Sequence, residues 1–177
     1  AVEDLALTLE GCGGDMDCAQ IFQSAADIRD FDELRHRVPD TMNHRGAERK
    51  RFAGGGKLST DWSVPMRALD ELLKWTEDAL SGIGIDGCYT YGHIGNGHPH
   101  QNIICPNSEV RGEVLVVLKE QLQRVVSLGG VPTSEHGIGK LKRDLVRDFL
   151  PPGFRSAMLA LKQEFDPKGI FARGNIL

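Results

Sequence analysis

The chain of 177 residues contains no apolar run approaching ~18 residues, the length a membrane-spanning helix needs, so no span is expected. It has no excess of basic charge. Lys and Arg number 21 against 25 Asp and Glu, a formal net charge of −4, which argues against a nucleic-acid partner. Signal-peptide features are missing: the start, AVEDLALTLEGCGGD, is acidic and short of apolar length. An initiator methionine is missing too, so a fragment or a processed chain is expected. The four cysteines, Cys12, Cys18, Cys88 and Cys105, form no CxxC pair. A reduced, cytoplasmic protein is the default expectation, with Cys88 and Cys105 as small core residues of strands. There is no GxGxxG at a strand–helix junction and no Walker loop, so a self-contained nucleotide-binding domain is not expected. Internal repeats and low-complexity segments are absent as well. What remains is enough chain for one domain with a real core.

Several elements follow from patterning. Leu5 to Glu10 alternates weakly and suggests a short strand. Asp17 can cap a helix to about Arg29, with Ile21, Phe22, Ala25 and Ile28 as its stripe. A second helical stretch begins at Phe31, and Pro39 predicts a break or kink in it. His44 to Gly56 is basic, ends in three glycines, and reads as a solvated, mobile loop. Leu58 to Val64 is strand-like. Pro65 suits the first turn of a helix to about Ser81. Cys88 to Gly95 and His98 to Cys105 read as a hairpin. A long amphipathic helix follows to about Leu128, buried through Val114, Leu115, Leu118, Leu122, Val125 and Val126. Gly129-Gly130 stops it, and Val131 to Ser134 forms a brief strand. Helices over about Lys140–Leu150 and Phe154–Phe165 complete the chain. Strands mixed with helices around a central antiparallel hairpin indicate the α+β class, with helices on one face of the sheet.

The chemistry is concentrated at Tyr91 to Asn102, YGHIGNGHPHQN, which carries three histidines around Asn96-Gly97. Asn-Gly favours a two-residue type I′ turn, because both central positions need positive φ. That turn pairs His93 with His100, Gly95 with His98 and Tyr91 with Asn102, all on one face. His93 and His100 then have Cβ atoms ~5 Å apart. Two such imidazoles suit a divalent metal such as zinc, iron, copper or nickel. Cross-strand surface neighbours without a metal are the plainer alternative. A second stretch, Ser134-Glu135-His136-Gly137-Ile138-Gly139, sets a carboxylate beside an imidazole on a glycine-flanked turn. Adjacent side chains in extended backbone point different ways, so one can bind metal while the other moves a proton. Two His and a Glu leave a position open, as catalytic metal sites do. Equally compatible is a Glu135 that caps the next helix beside a surface His136.

Three motifs in this order, YGHIGNGHPHQN, GGVPTSEHGIGKLKRD and LKQEFDPKGI, together with LSTDWSVP, resemble the C-terminal domain of FAD-linked 2-hydroxyacid oxidoreductases. These are the D-lactate, D-2-hydroxyglutarate and glycolate oxidase-type flavoproteins of the vanillyl-alcohol oxidase superfamily. The resemblance runs from about Leu34 to the end. It implies a ferredoxin-like substrate (cap) domain over residues 1–177, truncated at its N-terminal side. The FAD-binding domain that precedes it in such proteins is absent from this chain. Matched residue by residue, His93, His100 and Glu135 are implied ligands of a divalent metal, zinc or manganese. His136 is implied as the catalytic base, with Arg35 and Asn102 as substrate contacts. Implied partners are a small 2-hydroxy acid and an electron acceptor that the residues do not identify. A homodimer is among the assemblies expected, and the fragment alone is expected to be inactive. A hydrolase using the same His/His/Glu set, and a ferredoxin-like binding module without catalysis, are the alternatives.

The chain also departs from the family pattern. Asn96 stands where Asp is usual and His98 where Asn is usual, which makes His98 an extra ligand or a substrate contact. Ser59 occupies the position of a substrate-binding lysine found in some members, with Lys57 two residues away. In the tail, Ala172-Arg173-Gly174-Asn175 replaces the usual NPGK.

Overall fold

The computed structural model describes residues 2–18, 20, 22 and 24–175. The expected stripe position Ile21 lies outside them. Residues up to Thr41 form one compact unit and those from Met42 onward a second.

The first unit departs from the sequence expectations. The segment expected as a strand is helix α1 (Val2–Gly11), whose first turn carries Glu3 and Asp4, favourable at a helix N-terminus. Asp17 lies in a short 3-10 turn, Met16–Cys18. Helix α2 (Ala25–Ala53) starts instead behind a reciprocal cap. The Asp27 amide donates to Ser24 Oγ at 3.1 Å, and the Ser24 amide donates to Asp27 Oδ2 at 3.3 Å. The helix continues through Pro39 without a break. A proline there removes one i→i−4 bond, and the helix absorbs the loss.

The stretch expected to be a mobile basic loop is the last part of α2 and the start of strand β1 (Gly54–Ser59). Its glycines serve close packing. A Cβ on Gly46 would lie 2.5 Å from the Lys57 Cβ, and one on Gly55 would lie 2.1 Å from the Cys105 carbonyl oxygen.

Helix α3 (Met66–Gly82) starts directly after Pro65. Strands β2 (Cys88–His93) and β3 (His98–Asn107) form the hairpin. Helix α4 (Ser108–Ser127) follows, capped by Asn107, whose side chain accepts from the Val110 amide at 2.9 Å. Helices α5 (Gly139–Val146) and α6 (Pro152–Phe165) end the fold.

The sheet is antiparallel in the order β1-β3-β2, so β1 and β2 flank β3 as in a split βαβ unit. With α3 and α4 the succession is β-α-β-β-α, and the class is α+β as expected. Where a fourth strand would lie, the described residues form one antiparallel bridge, Ser63 to Val131.

Alternation along β3 sends Ile103 and Cys105 into a core with Leu80, Val114, Val117 and Leu118. Cys105 is buried and Cys88 packs at the edge of this core, its thiol pushed up to about 11 by burial. A second core joins Trp62, Leu69, Leu72, Leu122 and Val125 to Ile138, Val146 and Leu150. Of the expected buried positions of α4, Val126 is exposed, whereas Val114, Leu118, Leu122 and Val125 are buried. Alternation places His98, His100 and Asn102 together on the face of β3 opposite to Ile103 and Cys105.

Candidate active site

The hairpin joins the three histidines, but in a different register from the one the Asn-Gly pair suggests. Ile94–Asn96 wind into a 3-10 turn, and only Gly97 of the Asn-Gly pair has positive φ. The loop therefore spans four residues, 94–97. His93 pairs with His98, Tyr91 with His100, Gly92 with Pro99, and Tyr89 with Asn102. The expected pairings of His93 with His100, Gly95 with His98 and Tyr91 with Asn102 are corrected. The slip is two residues, and an even slip changes no side chain's face, so the clustering survives it.

Gly97 has a second reason to be glycine. Its carbonyl accepts from the Val64 amide at 3.0 Å, and a Cβ there would lie 1.9 Å from the Val64 carbonyl oxygen. This contact belongs to Thr60–Val64, the segment that links both halves of the site. On one side the Thr60 amide donates to the Gln101 carbonyl, and the Gln101 amide donates to Thr60 Oγ1, each at 3.0 Å. On the other side Ser63 exchanges two backbone hydrogen bonds with Val131. Gly130 permits that approach, since a Cβ on it would lie 2.3 Å from the Ser63 carbonyl oxygen. Trp62 anchors the segment, its indole Nε1 donating to buried Gln121 Oε1 at 2.9 Å.

The loop carrying Glu135 and His136 is thereby brought against the hairpin. Glu135 Oε2 lies 3.4 Å from both His93 Nε2 and His100 Nε2, and 3.8 Å from His98 Nδ1. One nitrogen or oxygen from each of His93, His100 and Glu135 lies within 4.8 Å of the other two. His136 stacks on His100, ring centroids 4.5 Å apart and planes at 12°. A cavity of about 390 Å³ opens beside these groups, lined by Ser63, His93, Asn96, His98, Ser134 and Glu135.

Beneath the loop lies Asp61, a residue the motif reading passed over. Its side chain is 1% exposed. It accepts from Thr133 Oγ1 at 2.7 Å, from Lys142 Nζ at 3.0 Å, and from the backbone amides of Glu135 and His136 at 3.2 Å. Burial opposes its ionisation, but Thr133, Lys142 and the His136 amide outweigh that and hold the carboxyl well below the usual carboxylate range. The signal was present in LSTDWSVP, where an acid sits inside an otherwise apolar and hydroxyl-bearing segment.

Burial is also the main influence on His136 and lowers its pKa, with Asp61 opposing and His100 and Lys142 reinforcing the shift. The ring is accordingly neutral near pH 7, the form a base requires. Its Nδ1 faces Asp61 Oδ1 at 3.9 Å, which leaves Nε2 for a substrate.

The arrangement fits a divalent cation. Borderline metals take imidazole nitrogen together with carboxylate oxygen, and His93, His100 and Glu135 bring one such atom each within 4.8 Å of the others. Asp61, His100 and His136 also come within 4.8 Å of one another. Asp61, however, already accepts four hydrogen bonds and the Lys142 charge, so the first set is the better cation site. Of the other expected residues, Asn102 is buried, with its Nδ2 donating to the His100 carbonyl at 3.2 Å. Its Oδ1 is also buried and has no hydrogen-bond partner. Arg35 is exposed on α2 within the first unit, outside the unit that gathers the site.

Comparison with known proteins shows the family to which the chain belongs. The family described as FAD linked oxidases, C-terminal domain, matches residues 3–176, and the chain belongs to it. It is 37% identical over 160 residues to a D-2-hydroxyglutarate dehydrogenase of Stutzerimonas stutzeri, covering 87% of this chain and 32% of that protein. It is 31% identical over 118 residues to the glycolate oxidase subunit GlcD of Bacillus subtilis, covering 66% and 25%. It is 32% identical over 117 residues to a D-lactate dehydrogenase of Archaeoglobus fulgidus, covering 66% and 26%. The chain thus spans about a quarter to a third of the length of these relatives. No helix among the described residues is long and apolar enough to cross a membrane.

Proposed function

We propose that this domain binds the substrate and supplies the catalytic base of an FAD-dependent enzyme that oxidises a 2-hydroxy acid to a 2-oxo acid. The flavin-binding domain belongs to the same protein in this reading, and residues 1–177 form the substrate domain. The observation that carries the proposal is the convergence of His93, His100, Glu135 and His136 from two distant segments, with a cavity lined by His93 and Glu135 beside them.

His93, His100 and Glu135 would hold zinc or manganese. When bound, the divalent ion supplies a Lewis acid that makes the substrate hydroxyl more acidic, and FAD supplies the hydride acceptor. His136 then takes the hydroxyl proton on Nε2. The α-hydrogen leaves carbon with its electron pair, the C–O bond becomes a carbonyl, and the 2-oxo acid results. Stacking on His100 and the Asp61 contact at Nδ1 fix the ring for that transfer. His98, which lines the cavity, borders the bound acid in this reading, and Asn102 is proposed as a substrate contact on family resemblance alone. Arg35 is proposed as a carboxylate contact on residue chemistry alone, since a guanidinium binds carboxylate in a fork.

Belonging to a flavin-linked family counts against the hydrolase alternative. The test is dye reduction driven by D-lactate, D-2-hydroxyglutarate and glycolate in the full-length flavoprotein. One of these acids supports turnover, and a strong chelator abolishes it until zinc or manganese is returned. Turnover that a chelator leaves untouched, at zero bound metal, sinks the metal-centred scheme.

A further inference from the structure

We propose that Asp61 is a positioning residue for both halves of the site: it anchors the Glu135–His136 loop and orients the His98 ring so that Nδ1 is left free toward Glu135. The inference rests on the functional reading above, in which Asp61 only contacts the His136 ring, and extends the role of Asp61 to the loop backbone and to His98.

His98 is the residue that calls for it. Its side chain is only 6% exposed, and its Nε2 is buried without any aligned hydrogen-bond partner. A buried ring nitrogen left unpaired is costly, so something must account for it. The group facing it is Asp61, whose Oδ1 lies 3.3 Å away on an off-line approach. Donors from Thr133, Lys142 and the Glu135 and His136 amides already converge on this carboxyl, which acts toward all of them as an acceptor. The stable arrangement beside it is a ring that carries its proton on Nε2. The lone pair then sits on Nδ1, the nitrogen that points to Glu135 Oε2 at 3.8 Å.

The same carboxylate accepts from the Glu135 and His136 amides, so the backbone of the third ligand and the tautomer of His98 are set by one group. Lys142 Nζ at 3.0 Å balances the buried charge, and Thr133 Oγ1 at 2.7 Å fixes its rotamer. A carboxylate behind a ring whose other nitrogen faces the cation is a recurring support for metal-binding histidines. With His98 Nδ1 available, the chain offers three imidazoles and one carboxylate. Such a nitrogen-rich set favours zinc over manganese.

The experiment is a nitrogen NMR spectrum of the chain labelled at its histidine ring nitrogens, recorded metal-free and then with zinc added, with H98N to assign the ring. The expected result is His98 protonated on Nε2 with a bare Nδ1 before zinc, and an Nδ1 resonance shifted by ligation after it. The variants D61N and H98N then weaken zinc binding by ~10–100-fold, and D61E restores part of it. A metal-free His98 protonated on Nδ1, or on both nitrogens, overturns the inference, and the tautomer itself is read in the unsubstituted chain. The expected tautomer in a chain that takes up no zinc supports the positioning role and instead counts against the metal reading of the function.

Discussion

At the residue scale the site is an exercise in pairing polar groups that burial would otherwise penalise. Asp61 is tolerable inside the protein because donors surround it: Thr133 and the Glu135 and His136 amides from the loop, and Lys142 from α5. Gln121 shows the same logic further in. It accepts from Trp62 Nε1 and donates to Thr76 Oγ1 and Gln101 Oε1. Replacing Trp62 with Phe keeps most of the apolar burial but strands the Gln121 acceptor. The expected cost is about 1–3 kcal/mol, read as a lower denaturant midpoint at unchanged slope. Gly97 is under a different constraint, a positive φ together with contact against Val64. Gly97→Ala is expected to destabilise by at least about 1–3 kcal/mol and to weaken zinc binding, measured by denaturation and by calorimetric titration.

At the element scale, the strongly patterned pieces were legible. The helix after Pro65, the hairpin and the long helix ending at Gly129-Gly130 fall where period and punctuation place them. Boundaries near glycine and proline were less so, because both residues have more than one use. The glycines at 54–56 suggested mobility, yet they let α2 and β3 approach the strand. Pro39 suggested a stop, yet the helix absorbs it. The Asn96-Gly97 turn gave the right face and the wrong register, since local turn preference is weaker than the tertiary contact with Val64.

The C-terminal turn makes a pH prediction at this same scale. Asp166 accepts from the Ile170 and Phe171 amides and pairs with Lys162, and Lys162 in particular lowers its pKa. A carboxyl depressed in the folded state contributes stability that is fully present above its unfolded value of about 4. That contribution is lost as pH falls through the lower folded value. Hydrogen-exchange protection of the Ile170 and Phe171 amides, corrected for intrinsic rates, should therefore fall below about pH 4. It should be largely lost at neutral pH in D166N.

At the scale of the whole molecule, the residues of the two motifs were legible and their connection was not. Nothing in the periodicity of LSTDWSVP says that Thr60–Val64 bonds the hairpin on one side and the Val131 loop on the other. Asp61, the group at the centre of that connection, matters through long-range contacts, which no local pattern encodes. The flavin likewise enters through family membership alone.

The central claim is that these two segments form the substrate side of a flavin-dependent 2-hydroxyacid oxidation, with His136 as base. Its most direct test is anaerobic mixing of the full-length flavoprotein with its 2-hydroxy acid while flavin absorbance is followed. The flavin should bleach with the wild-type protein. With H136Q the rate should fall by about 10²–10⁴-fold while zinc content stays the same, as expected for loss of a positioned base. Bleaching by H136Q at the wild-type rate would contradict the account.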